Sequence, residues 1–216
     1  MKVAAVFGYG PGLGAALAQK WSQQGFKVAL LSRTLEKVEA AAKEIPNSKG
    51  VACDVSDMNS IETAVKEIES SMGPIDTVLW NAGSGVWDTW DKIDLDKFEL
   101  SMRTNCSGLL KATQLAAPGM IERKEGGIYV TGATASLRGK PFTAGFAPAK
   151  GAQRLLAQSL ARDLGPKGIH VGLFIIDGLI NEMTPAAIAE SYWNVASQPM
   201  SCWSFETELR PSTENW

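Results

Sequence analysis

Short apolar runs alternating with helix-periodic segments, a glycine-rich bend between the first strand and the first helix, and short connections throughout predict an α/β fold. Six such β–α alternations, with no internal repeat and no low-complexity tract, imply a parallel sheet wound right-handedly and covered on both faces. The expected architecture is a single-domain, Rossmann-type doubly wound parallel sheet in three layers, α/β/α. A ligand is then expected at the carboxyl ends of the strands.

The elements follow in order. Lys2–Gln24 opens with an apolar run too short for a helix, passes three glycines spaced G-x-x-x-G-x-G (Gly8, Gly12, Gly14), and continues as an alanine-rich helical segment. Lys27–Ser32 is the second strand, and Thr34 is placed to cap a helix through Ile45 that Pro46 and Asn47 end. Gly50–Val55 is the third strand. Asp57 caps the next helix, which runs to about Met72, where Gly73-Pro74 breaks it. Ile75–Trp80 forms the fourth strand, and a loop with Trp87 and Trp90 follows. One long helix is expected over Phe98 to Arg123, then a strand at Gly127–Thr131, a helix over Pro148 to Leu164 and a strand at Ile169–Ile176. The tail carries a helix near Pro185–Ser197, a last strand near Ser201–Leu209, and three large aromatics, Trp193, Trp203 and Trp216, expected to pack on the body or a neighbouring subunit.

Composition narrows the function. With 216 residues, 45% hydrophobic and 20% charged, the chain (1–216) can bury one substantial core as one domain. Its 21 basic and 23 acidic residues are interspersed, so neither a nucleic-acid nor a membrane surface is expected, and the partner is a small molecule. Cys53, Cys106 and Cys202 are odd in number and scattered, against a disulfide framework or a metal site and consistent with a reducing compartment. The chain enters its first strand at once, without a leader-like segment or an apolar run of membrane-spanning length, so a cytoplasmic location is expected.

The bend at Gly8–Gly14 suits a phosphate pair, because glycine lets bare backbone N–H groups and the positive end of a helix dipole approach it. A sharp βα turn with close helix–strand packing favours glycine for its own sake as well. Ser32-Arg33 ends the second strand without a carboxylate. A guanidinium there pairs with a 2′-phosphate and points to NADP(H) over NAD(H), the alternative being a solvated arginine at a helix start. Asp54 either accepts from an adenine amine or caps a turn. Asn81-Ala82-Gly83, small residues ending the fourth strand, permit close cofactor approach or form an ordinary turn.

These motifs together resemble the short-chain dehydrogenase/reductase family over most of the chain: G-Y-G-P-G-L-G at 8–14, C-D-V at 53–55, N-A-G at 81–83, N-C-S-G at 105–108 and the lysine of F-A-P-A-K at 146–150. The resemblance implies an NAD(P)-dependent oxidoreductase acting on a carbonyl or alcohol. It implies cofactor contacts at Gly8, Gly10, Gly12, Leu13, Gly14, Ser32, Arg33, Asp54, Val55, Asn81, Ala82, Gly83, Lys150 and Ile180. Asn105 matches the asparagine that holds a water in a proton relay, and Lys150 the lysine that bonds the nicotinamide ribose. It also implies a homodimer or homotetramer through the helices near 98–123 and 148–164. Ala149, Ala157 and Ala161 are expected to form a small-residue surface there for close helix–helix approach.

The chain departs from that pattern at two of the family's catalytic positions. Phe146 stands four residues before Lys150, where the family has its catalytic tyrosine, and Ala133 stands thirteen residues earlier, where it has its serine. A phenyl ring has no proton to give a developing alkoxide, so the site is atypical. A branch of the family carries phenylalanine at this position with the lysine kept, and T-G-A-T-A-S-L-R-G at 131–139 resembles it. Thr134 is the nearest hydroxyl to the vacant serine position. After the sixth strand Asp177-Gly178-Leu179-Ile180 leads to a new helix by Pro185, so the substrate-covering loop near 178–185 is short. Trp87 and Trp90 either line the substrate cleft or cover the sheet edge, and His170, inside a strand, is expected to be structural. Three readings follow: an NADP(H)-dependent oxidoreductase with an altered proton route, a cofactor-binding pseudoenzyme acting as sensor or partner, and a structural module whose glycines serve packing alone.

Overall fold

The computed structural model describes residues 1–178 and 182–213. Among these described residues seven strands form one parallel sheet: β1 (Val3–Phe7), β2 (Lys27–Ser32), β3 (Ser48–Ala52), β4 (Ile75–Trp80), β5 (Gly126–Ala133), β6 (Ile169–Ile176) and β7 (Glu206–Leu209). Their order across the sheet is β3-β2-β1-β4-β5-β6-β7. The chain builds outward from β1 through β2 and β3, then returns to the other side of β1 for β4. That reversal opens a crevice at the carboxyl ends of β1 and β4.

Helices cover both faces. Val3, Ala5 and Phe7 of β1 pack with Ile61 and Ile68 of α3 (Met58–Met72), Leu109 and Ala112 of α5 (Gly108–Arg123) and Ala157 of α6 (Ala147–Leu164). Ala4 and Val6 face the other way, toward Leu17 and Trp21 of α1 (Leu13–Gln23), Val38 of α2 (Leu35–Ala42) and Ile188 and Tyr192 of α7 (Pro185–Ala196). Strands buried on both faces read as unbroken apolar runs, which is why no alternation is visible in β1, β2 or β6.

Several boundaries differ from the sequence expectation. The helix expected over 98–123 begins earlier, as α4 (Leu95–Met102) with Asp94 capping the Lys97 amide, and reaches α5 through a π-helical turn at Arg103–Ser107. Asn105 supplies a reason: its Nδ2 donates to the Ser101 carbonyl four residues back and to the Ser84 carbonyl, competing with the α-helical ladder. α2 stops at Ala42 and β3 at Ala52, which leaves Asp54 and Val55 in the loop beyond the strand. Asp57 caps α3 through the Asn59 amide as expected, whereas the Thr34 side chain makes no cap bond.

The small-residue surface expected on α6 is corrected. Ala149 and Ala157 are buried within the protein itself, Ala157 and the partly buried Ala161 packing in the core beneath the sheet, while Leu155 on the same helix is 62% exposed. The spacing identified a stripe without its direction. The tail packs on the body: Trp193 meets Trp21 edge-on with centroids 5.4 Å apart, and Trp203 stacks on His170 at 4.7 Å. His170 Nε2 lies 2.8 Å from the Ser204 carbonyl, and burial holds its pKa below the ordinary value, consistent with a neutral structural ring. Trp216 lies outside the described residues. Among the described residues no helix is long and apolar enough to cross a membrane.

Candidate functional site

The bend after β1 is held by its glycines in two ways. Gly8 sits at φ +84°, and a Cβ there would lie 2.5 Å from the Ala82 backbone, so β1 and β4 approach only because it has none. Gly14 is similarly close-packed, since a Cβ there would lie 3.0 Å from the Gly8 carbonyl oxygen, and Leu13 buries its side chain in the core. Gly10 and Gly12 instead border open space, and a methyl group at either would meet nothing within 4 Å. No side chain caps α1 at Gly12 and its first turn holds no acidic residue. A helix start with uncapped N–H groups beside bare backbone fits an anionic group, and the residues present fit a dinucleotide's pyrophosphate.

This bend forms one wall of a cavity of about 470 Å³. Around it lie Ser32, Arg33, Asp54, Val55, Asn81, Ala82 and Gly83, so the crevice gathers most of the residues expected for cofactor binding. Gly12, Leu13 and Gly14 stand behind the wall as the base of α1. Ile180, the remaining expected contact, lies outside the described residues. Sequence reasoning missed Lys37, one helical turn beyond Arg33, which places a second cation at the same end.

Asp54 is a turn cap: its Oδ1 accepts from the Ser56 amide at 2.9 Å and hydroxyl at 2.7 Å. Burial pushes its pKa up, but those bonds and the Arg33 charge outweigh it, leaving the carboxyl below its ordinary range. Cys53, also on the wall, is pushed up to about 12 chiefly by burial and is an inert thiol. Asn81 pins the crevice, its Nδ2 donating to the Gly8 carbonyl at 3.0 Å and its Oδ1 accepting from the Thr131 hydroxyl at 3.1 Å.

Behind Gly83 lies a buried polar cluster. Lys150, on the first turns of α6 and only 5% exposed, donates from Nζ to the Thr131 carbonyl at 2.9 Å and to Gln153 Oε1 at 3.0 Å. Desolvation lowers its pKa from 10.5 to about 7. A Cβ on Gly83 would lie 3.5 Å from both Lys150 Nζ and Asn105 Oδ1, and that amide oxygen is buried with no partner. An orphaned acceptor beside an ammonium marks a place for a hydroxyl or a water. The structure thus brings Asn105 and Lys150 to one spot, from the π-helical turn and from α6.

Ala133 and Phe146 line a neighbouring cavity of about 300 Å³ at the ends of β5 and β6. Trp87 lines it too, its ring 4.7 Å from that of Phe146, while Trp90 stands 81% exposed and outside either wall. The Phe146 ring is seated on bare backbone, since a Cβ on Gly85 would come within 2.3 Å of it. Thr134 also lines this cavity, but its hydroxyl donates to buried Asp177, a carboxylate 3.7 Å from Arg138. Asp177 was visible in the sequence only as a departure after the sixth strand.

Comparison with known proteins agrees with this fold. The family model described as short chain dehydrogenase matches residues 2–190. Carbonyl reductase family member 4 of Xenopus laevis is 30% identical over 183 residues, covering 85% of this chain and 78% of the relative. A crystal structure of a short-chain dehydrogenase from Rhodopseudomonas palustris superposes with TM-score 0.89 at 34% identity, covering 97% of this chain and 98% of that one. A metagenomic short-chain oxidoreductase in complex with NADP superposes with TM-score 0.91 at 25% identity, covering 98% and 97%. By its matched length, its fold and its crevice, this chain belongs to the short-chain dehydrogenase/reductase family of NAD(P)-binding oxidoreductases.

Proposed function

We propose that this protein is an NADP(H)-dependent oxidoreductase acting on a carbonyl or alcohol substrate through an atypical site. The observation that carries the reading is the continuity of one crevice. It runs from Arg33 and Lys37, past the uncapped start of α1, to Gly83 and the buried Lys150–Asn105 spot behind it. Arg33 and Lys37 would receive a 2′-phosphate, Gly8 to Gly14 the pyrophosphate, and Lys150 with Asn105 the nicotinamide sugar. A dinucleotide held by these residues would supply or accept a hydride. The names of the relatives, a carbonyl reductase and an oxidoreductase complexed with NADP, point the same way.

The proton route is where this site differs. Ala133 and Phe146 offer no proton at the cavity beside Lys150, and Thr134's proton is committed to Asp177. Lys150, whose pKa burial lowers to about 7, is a group beside the crevice among the described residues that can gain and lose a proton near neutral pH. The same missing hydroxyls favour a second reading, a pseudoenzyme that binds NADP(H) without turnover. Fluorescence titration with NADPH and NADH, followed by stopped-flow oxidation against aldehydes and ketones, separates the two. Binding with turnover supports the first reading, binding alone the second, and no response to either dinucleotide removes both.

We also read a homo-oligomer from exposed Leu110 and Ile121 on α5 and Leu155 on α6. The free cysteines fit a cytoplasmic setting.

A further inference from the structure

We propose that Gln153 is the positioning residue of this site: it clamps Lys150 to the main chain of Asn105 and closes the side of the ammonium that faces away from the crevice. This rests on the cofactor-binding reading for its purpose, though not for its geometry.

Gln153 lies three residues beyond Lys150 on α6 and is fully buried. Burying an amide is costly unless both of its ends are bonded, and here both are. Oε1 accepts from Lys150 Nζ at 3.0 Å, and Nε2 donates to the Asn105 carbonyl at 3.1 Å. Asn105 is itself held by its Nδ2 bonds to the carbonyls of Ser84 and Ser101. The result is a continuous chain of bonds joining β5, the π-helical turn and α6. Thr131 and Gln153 occupy two of the lysine's three N–H groups, which leaves one for the Gly83 side, where Asn105 Oδ1 stands without a partner.

An amide carries fixed donors and a fixed acceptor, so it holds the ammonium without taking its proton. No water need fill the space between Lys150 and the Asn105 carbonyl, because Gln153 fills it. Lys150 therefore exchanges its proton with whatever occupies the crevice. Titratable groups on the elements packed around it are otherwise engaged or apart. Tyr192 from α7 bonds the Thr131 hydroxyl, not its carbonyl. Asp177, beyond β6, is taken by Thr134 and Arg138. Cys106, on the π-helical turn, is half-buried with its thiol pKa raised by burial.

The test uses Gln153→Glu and Gln153→Leu in the full chain. The Lys150 midpoint is read by ¹³Cε-lysine NMR from pH 5 to 10, with Lys150→Met identifying the resonance. NADPH affinity is measured over the same range. Glutamate adds a negative charge beside the ammonium and should raise the midpoint by about one pH unit or more. Leucine removes an acceptor of the charged form and should lower it. NADPH affinity at pH 7 should fall about fivefold in the leucine variant, as one hydrogen bond to the lysine is lost, and recover at lower pH. A midpoint that is the same in all three proteins overturns the inference. Midpoints that shift as described while NADPH binds none of them uphold the clamp and sink the cofactor reading.

Discussion

Replacing Lys150 by methionine tests the site's electrostatics without a substrate. The amine is buried, and desolvation takes its pKa from 10.5 to about 7. Between those values the unfolded chain binds a proton that the native protein does not, so stability rises with pH across that window. Burying Lys150 thus destabilises the fold most at and below pH 7, and the penalty is relieved as pH rises toward 10.5. From pH 7 to pH 10 the relief amounts to about 3–4 kcal/mol. Methionine keeps the shape but cannot titrate. It leaves the Thr131 carbonyl and Gln153 Oε1 without a donor, a loss of about 1–3 kcal/mol each that does not vary with pH. The assay is urea unfolding of both proteins at intervals from pH 6.5 to 10, comparing their difference at each pH so that other titrations cancel. The wild type should gain about 3–4 kcal/mol on the variant over that range, or about 10 °C in melting temperature for a chain of this size. A difference that stays flat would refute a desolvated amine at this position.

Three further outcomes follow from the same geometry. Arg33→Ala should weaken NADPH about 10- to 100-fold, the worth of one charge-assisted contact, while leaving NADH affinity unchanged in parallel titrations. The Ala133→Ser/Phe146→Tyr double variant restores both hydroxyls at a ring already seated on Gly85 and Trp87, and should raise single-turnover carbonyl reduction about 10²- to 10⁴-fold in stopped-flow absorbance. Gly8→Ala sets a methyl 2.5 Å from the Ala82 backbone at positive φ and should cost about 2–4 kcal/mol in denaturant unfolding, with loss of dinucleotide binding.

Much of the crevice was legible in the sequence because its parts are local. A glycine that must sit at positive φ, an arginine directly after a strand and a lysine four residues after Phe146 are fixed by short-range geometry. Gln153 was not legible, since an amide at helical spacing from a lysine is usually a solvated pair; only burial and the Asn105 carbonyl, 48 residues away, give it a task. The π-helical turn was missed for a related reason. Its hydrogen bonds span one residue more than those of an α-helix, and it depends on Asn105 bonding Ser84, in the loop after β4.

The sequence by itself determined the order of elements, the glycine bend and the absence of hydroxyls at 133 and 146, because each is a property of residue type and of neighbours a few positions apart. The tertiary structure decided which face of α6 turns inward, that Trp87 and not Trp90 reaches the cleft, and that Thr134's proton goes to Asp177. Those outcomes depend on which distant groups the sheet order β3-β2-β1-β4-β5-β6-β7 brings together, and spacing along a chain carries no record of that.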